Sequence, residues 1–135
     1  MQDADSLIKK FNMINHPEGG HYVEIFKNKN VSQIYYLLKN NEKSHWHRLS
    51  KNEILHFYLG EPLEVFTSND GVGYEVFSLG SNNNYIYTVK SNTWFAMRST
   101  GSYSLIGCTV APAFNFEDFE LAPATWRPEK FKIEL

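Results

Sequence analysis

Eight short runs of β-forming residues, evenly spaced between turn residues, constrain this chain more than any other feature. They are Ser32 to Leu38, Ser44 to Leu49, Glu53 to Leu59, Leu63 to Thr67, Tyr74 to Leu79, Tyr85 to Val89, Trp94 to Arg98 and Tyr103 to Val110. Each is rich in the β-branched and aromatic side chains that pack well on a pleated surface, and no helical periodicity intervenes. Such a pattern reads as an all-β domain, an antiparallel sandwich or barrel. Asn69-Asp70-Gly71 is the strongest hairpin signal, with Asp70-Gly71 suited to positive backbone angles. Gly80 to Asn84 and Gly101-Ser102 are further turns.

Before the first run, Asp3 or Asp5 can cap a short helix in which Leu7, Ile8 and Phe11 follow helical spacing, and Asn15 with Pro17 ends it. Pro17-Glu18-Gly19-Gly20 is then a turn, and His21 to Lys27 alternates as another strand. The paired glycines also let backbone approach a ligand closely. Beyond Ala122, Pro123 and Pro128 among mixed charges predict an irregular tail that covers a sheet edge or a partner subunit. The length, 135 residues, fits one domain, 1–135.

A net charge of −2 without a lysine or arginine cluster argues against nucleic acid or an anionic membrane as partner and favours a small-molecule ligand. Residues 1–13 have neither the apolar core of a signal peptide nor the length of a membrane span, which predicts a cytoplasmic protein. The single cysteine, Cys108, excludes an internal disulfide and sits in an apolar run, as a buried strand thiol does. Small barrels leave apolar faces and edge strands to cover, so a symmetric homodimer is expected.

The chemistry is concentrated in residues 44–60, which hold three of the five histidines. His45 and His47 are two apart, so in a regular strand both imidazoles leave one face and Trp46 the other. A neighbouring strand brings Glu53 towards them. Two imidazoles and a carboxylate suit a divalent ion such as iron, nickel, manganese or zinc, or equally a satisfied polar network in a barrel. His56, three residues after Glu53, faces the opposite way unless a bulge re-aims it. Arg98 shares a strand face with Trp94 and Ala96, and there it could clamp a phosphate or carboxylate.

The spacing His45-x-His47, five residues, Glu53, six residues, Gly60 resembles the first signature motif of the cupin superfamily, which has three or four residues before the glutamate. The stretches His16 to Tyr22, Gly107 to Phe114 and Phe116 to Ala122 are similar to those of a family of small single-domain cupins, largely without assigned function. The fold of that family is similar to that of the dTDP-sugar epimerases of rhamnose biosynthesis. The resemblance covers about residues 7–122, leaving 123–135 as the tail. It implies a cupin β-sandwich or jelly-roll barrel with a short N-terminal helix, metal ligands at His45, His47 and Glu53, and pocket positions at Glu18 and Tyr22. The second cupin motif aligns on Lys90 to Phe95 and puts Phe95 where a fourth ligand, a histidine, normally stands.

Three functions stay open on these residues. One is a binding module for a polar, sugar-like or sugar-nucleotide ligand held by Glu18, Tyr22, His56 and Arg98. Another is a metal-dependent oxygenase or hydrolase using His45, His47 and Glu53. The last is a sugar epimerase, which needs a base and an acid on opposite sides of a carbon.

Overall fold

The computed structural model describes residues 2–135. Helix α1 (Ala4–Lys10) starts where the Asp3 carboxylate accepts the Ser6 N–H at 2.8 Å, which satisfies one of the unpaired donors of the first turn. Eleven strands follow: β1 (Ile14–Asn15), β2 (His21–Lys27), β3 (Ser32–Lys39), β4 (Ser44–Leu49), β5 (Asn52–Gly60), β6 (Leu63–Ser68), β7 (Glu75–Leu79), β8 (Ile86–Val89), β9 (Trp94–Ser99), β10 (Tyr103–Ala111) and β11 (Phe119–Leu121). They form two antiparallel sheets in the orders β1-β2-β3-β10-β5-β8 and β11-β4-β9-β6-β7. This is the cupin β-sandwich with one short N-terminal helix. Among the described residues no helix is long and apolar enough to cross a membrane.

Alternation along each strand decides what enters the core. In β10, Ile106 and Cys108 point between the sheets, while Tyr103 and Leu105 point outwards against the helix. The inner layer contains Tyr36, Leu38, Leu55, Val65, Phe95 and Met97, none more than 2 % exposed. Helix α1 lays Ala4 and Leu7 over Leu37, Tyr103 and Leu105, covering the outer face of the six-stranded sheet. On the other side the C-terminal tail crosses the outer face of the five-stranded sheet. Its Phe131 packs edge-on to Trp46 and Phe66, both at 5.1 Å between ring centres. Burying one such ring contributes about 1.5–3 kcal/mol, enough to hold a segment that has no regular structure of its own.

Two short strands were not legible in the sequence. Strand β1 has two residues and β11 three, too few for an alternation pattern; each exists because a longer neighbour offers it an edge. The hairpin expected at Asn69-Asp70-Gly71 is there, joining β6 to β7, but through a loop over 69–74 rather than a two-residue turn. Only Gly71 takes a positive φ, 74°, while the Asp70 carboxylate accepts the Val72 and Gly73 N–H groups at 2.9 and 3.1 Å.

Candidate functional site

A cavity of about 270 Å³ opens between the sheets, lined by side chains from β2, β3, β4, β5, β9 and β10 and by the segment 114–119. Its apolar wall is made by Ile34, Met97, Val110, Phe114, Phe116 and Phe119. The polar side is built from the Pro17–Gly20 turn and from β4 and β5.

Glu18 reaches the cavity because of the glycines that follow it. Gly19 has φ 112°, and a Cβ there would come within 1.9 Å of the Lys43 carbonyl oxygen. That contact lets the turn lie flat on the β3–β4 connection, where the Glu18 carbonyl accepts the His45 N–H at 2.8 Å. The side chain then turns inwards. Ser44 Oγ donates to Glu18 Oε2, and His47 Nε2 and His16 Nδ1 lie 3.2 and 3.4 Å from Oε1. Tyr36 closes the turn from below by donating its hydroxyl to the Gly19 carbonyl.

The proton inventory follows from these partners. His47 Nδ1 is 2.7 Å from the His45 carbonyl, which can only accept, so Nδ1 carries the hydrogen and the Nε2 lone pair faces Glu18. Burial raises the Glu18 pKa and lowers that of His47 to about 4. His47 is therefore neutral at pH 7, and its Nε2 lone pair faces a carboxyl that burial makes a weaker acid than usual. His16 accepts the Glu18 N–H on Nδ1 at 3.2 Å, and its pKa is lowered, first by burial.

Glu53 is the other buried carboxyl of the cavity. Burial, with the nearby Glu18 carboxyl adding to it, pushes its pKa up to about 8. It is 9 % exposed, and no protein group hydrogen-bonds it among the described residues except the Cys108 thiol beside it, a weak donor whose own pKa burial raises well above the ordinary range.

The expected site residues separate into two groups. Glu18, Tyr22, His47 and Glu53 line the cavity. His45, His56 and Arg98 do not. The register of β4 on β9 pairs Ser44 with Met97 and His47 with Phe95, so two residues of β4 oppose one of β9. This bulge breaks the alternation: Ser44 and His47 point inwards, and His45 and Trp46 both turn to the outer side. There His45 Nε2 donates to the Pro123 carbonyl at 2.9 Å. His45, His47 and Glu53 thus do not converge, and among the described residues no three His, Cys, Asp or Glu side chains are arranged to hold a metal ion.

His56 lies on the outer face of its sheet, stacked on Tyr58 with ring centres 6.4 Å apart. The bulge in β5 falls after it, at Tyr58, and so leaves it facing out. Arg98 does share a face with Trp94 and Ala96, but that face is the outer one. Its guanidinium pairs with Glu64 at 2.7 Å and lies over Phe66. Phe95, at the position of the second motif's histidine, packs its ring against the His47 imidazole, 4.0 Å between centres.

His16, Ser44 and the phenylalanines at 114 and 119 were not singled out in the sequence as site residues. The one local signal for His16 is its place two residues before Glu18 across a proline. Ser44 could have been found only by knowing the bulge.

The profile of the family described as Cupin superfamily (DUF985) matches residues 5–122. Among solved structures, a Shewanella oneidensis protein is 31 % identical, with a TM-score of 0.86 over 90 % of this chain and 85 % of that one. A hypothetical protein from Leishmania major is 26 % identical, with a TM-score of 0.81 over 90 % and 88 %. Oxalate decarboxylase from Bacillus subtilis shares the fold alone: 11 % identity and a TM-score of 0.66, over 79 % of this chain and 29 % of that one. No curated protein matches the chain. With a family match spanning the helix, both sheets and the Glu18 turn, this chain belongs to the cupin superfamily, in its DUF985 family.

Proposed function

We propose that this cupin binds a small polar organic molecule in the cavity between its sheets. The observation that carries this reading is Glu53, a carboxyl buried against the cavity with no protein partner beyond a thiol. A carboxyl that faces a cavity with no N–H or O–H partner from the protein is open to a ligand donor, and a hydrogen bond made there contributes about 0.5–1.5 kcal/mol. Glu18, His47 and Tyr22 offer further polar contacts around it, and aromatic rings supply an apolar wall.

A sugar-like ring suits a cavity of about 270 Å³ with hydrogen-bonding groups on one side. The phosphates of a sugar nucleotide are less well served, because Arg98 lies on the outer face and Lys27, at the rim, is the cavity's one lysine or arginine among the described residues. A thermal-shift screen of neutral monosaccharides, amino sugars, sugar phosphates and nucleotides, repeated on His47→Ala, tests the reading. Stabilisation of the wild type that is lost in the variant supports it. A wild type that no class stabilises removes it.

Proton transfer on the bound molecule is a second reading, favoured by the Glu18–His47 pair, whose oxygen and nitrogen lie 3.2 Å apart, within reach of a shared proton. Such a pair can give or take a proton at a carbon or oxygen placed beside it, as isomerisation requires. Deuterium wash-in from D₂O to a bound sugar, absent in Glu18→Gln, is its test. Metal chemistry has a precedent in the fold, since oxalate decarboxylase from Bacillus subtilis carries Mn(II) centres. In this chain the outward turn of His45 and the phenyl ring of Phe95 leave a donor set that does not fit such a centre.

A further inference from the structure

We propose that the ligand is an organic cation, a compact ammonium or amidinium on an apolar body, with Glu53 as its counter-ion. The inference rests on the small-molecule reading and names the charge of its ligand. Three features of the cavity point the same way.

The acids outnumber the bases. Glu18, Glu24 and Glu53 line the cavity, against Lys27 alone among lysines and arginines, and Glu24 and Lys27 both stand exposed at the rim. Inside, beside the hydroxyls of Ser32 and Tyr36 and the Cys108 thiol, the groups that could carry charge near neutral pH are two carboxyls and two imidazoles, and burial disfavours the charged form of an imidazole.

The two carboxyls are used differently. Glu18 is engaged by Ser44, His47 and His16. Glu53 is equally buried, faces the same space and has no N–H or O–H donor from the protein among the described residues. A neutral hydroxyl could give it one hydrogen bond. An ammonium or amidinium favours the ionised carboxyl, so its binding releases the proton that burial keeps on Glu53, and the bond formed is charge-assisted, about twice as strong.

The remaining wall suits a cation as well. Tyr22, Phe114, Phe116 and Phe119 present aromatic rings to the cavity, and Phe114 and Phe116 meet edge to face at 4.9 Å. Aromatic faces attract cations through their quadrupole, and rings combined with a carboxylate are what recognise ammonium groups in water-poor sites. An anion would meet two acids and no buried cation.

Isothermal titration calorimetry of the full chain at pH 7 with four probes of matched shape, benzylammonium, benzamidinium, benzyl alcohol and benzoate, tests the proposal. The two cations should bind at least tenfold more tightly than benzyl alcohol, and benzoate more weakly than either. Glu53→Gln should reduce cation affinity at least tenfold and leave that of benzyl alcohol unchanged. The ranking on wild type needs no variant, so it decides the matter even if Glu53→Gln fails to fold. Benzyl alcohol or benzoate binding as tightly as the cations overturns the proposal while leaving the small-molecule reading intact. Manganese chloride displacing bound benzylammonium at equimolar concentration also overturns it, since the cation favoured would then be a metal. If neither these probes nor the sugars bind, both readings fall together.

Discussion

His47 Nε2 faces the Glu18 carboxyl at 3.2 Å inside the sandwich, with its other ring nitrogen committed to the His45 carbonyl at 2.7 Å. Burial holds the ring in its neutral form and raises the pKa of the carboxyl that it faces. Nitrogen-15 spectra of the ligand-free protein at pH 7 should therefore show His47 neutral, protonated at Nδ1 and bare at Nε2. A doubly protonated ring at that pH would reverse the assignment of donor and acceptor.

Stability should depend on pH with two opposed arms. Glu53 is raised from 4.5 to about 8, so the folded protein keeps a proton that the unfolded chain has released; its contribution is full below 4.5 and lost as pH rises towards 8. His47 is lowered from 6.5 to about 4, so its contribution is full above 6.5 and lost as pH falls through 4. Between about 4.5 and 6.5 these two slopes, each about 1.4 kcal/mol per pH unit at most, oppose one another. Urea unfolding should show a near-plateau there and a decline from 6.5 to 8. Glu53→Gln should flatten that decline, and an unchanged slope would show that Glu53 is not held protonated.

Gly19→Ala should cost at least about 2 kcal/mol, a fall in Tm of roughly 5–10 °C. The position has φ 112°, and its new Cβ would lie 1.9 Å from the Lys43 carbonyl oxygen. Because that turn carries Glu18, ligand-induced stabilisation should fall as well. Gly73→Ala is the control: nothing stands within 4 Å of a Cβ there, and a thermal melt should hardly move.

The histidines of β4 should behave as unlike residues. His45→Ala removes one hydrogen bond to the Pro123 carbonyl on the outer side, worth about 1 kcal/mol, and should leave ligand binding unchanged. His47→Ala, at a side chain 2 % exposed, should abolish binding of the best ligand in the thermal-shift screen while the circular dichroism spectrum stays that of a β protein. Equal losses from the two variants would contradict the outward turn of His45.

Arg98→Ala loses a half-exposed ion pair with Glu64 and the contact with Phe66, together about 1 kcal/mol or less. Its ligand affinity by calorimetry should equal that of wild type. Weaker binding of a sugar phosphate in this variant would restore the anion-clamp expectation.

Much of the fold is written locally. Ser44–Leu49 and His21–Lys27 have the bounds that their alternation predicts, and the other long strands differ by a residue or two at their ends. Side-chain period and turn residues suffice for that, because both act over a few residues. The same logic placed Glu53 inwards, His56 outwards and Arg98 beside Trp94. What alternation does not say is which face of a strand becomes the interior. The tail decided this for Arg98: with Trp126 and Phe131 laid across that sheet, the face shared by Trp94 and Ala96 is a covered outer surface. The position of His45 required more still. A single extra residue of β4 between Ser44 and His47 turns His45 away from Glu53, and that residue is extra only relative to β9, a strand 45 positions or more further along the chain. Register is a property of two paired strands, so no reading of one of them contains it.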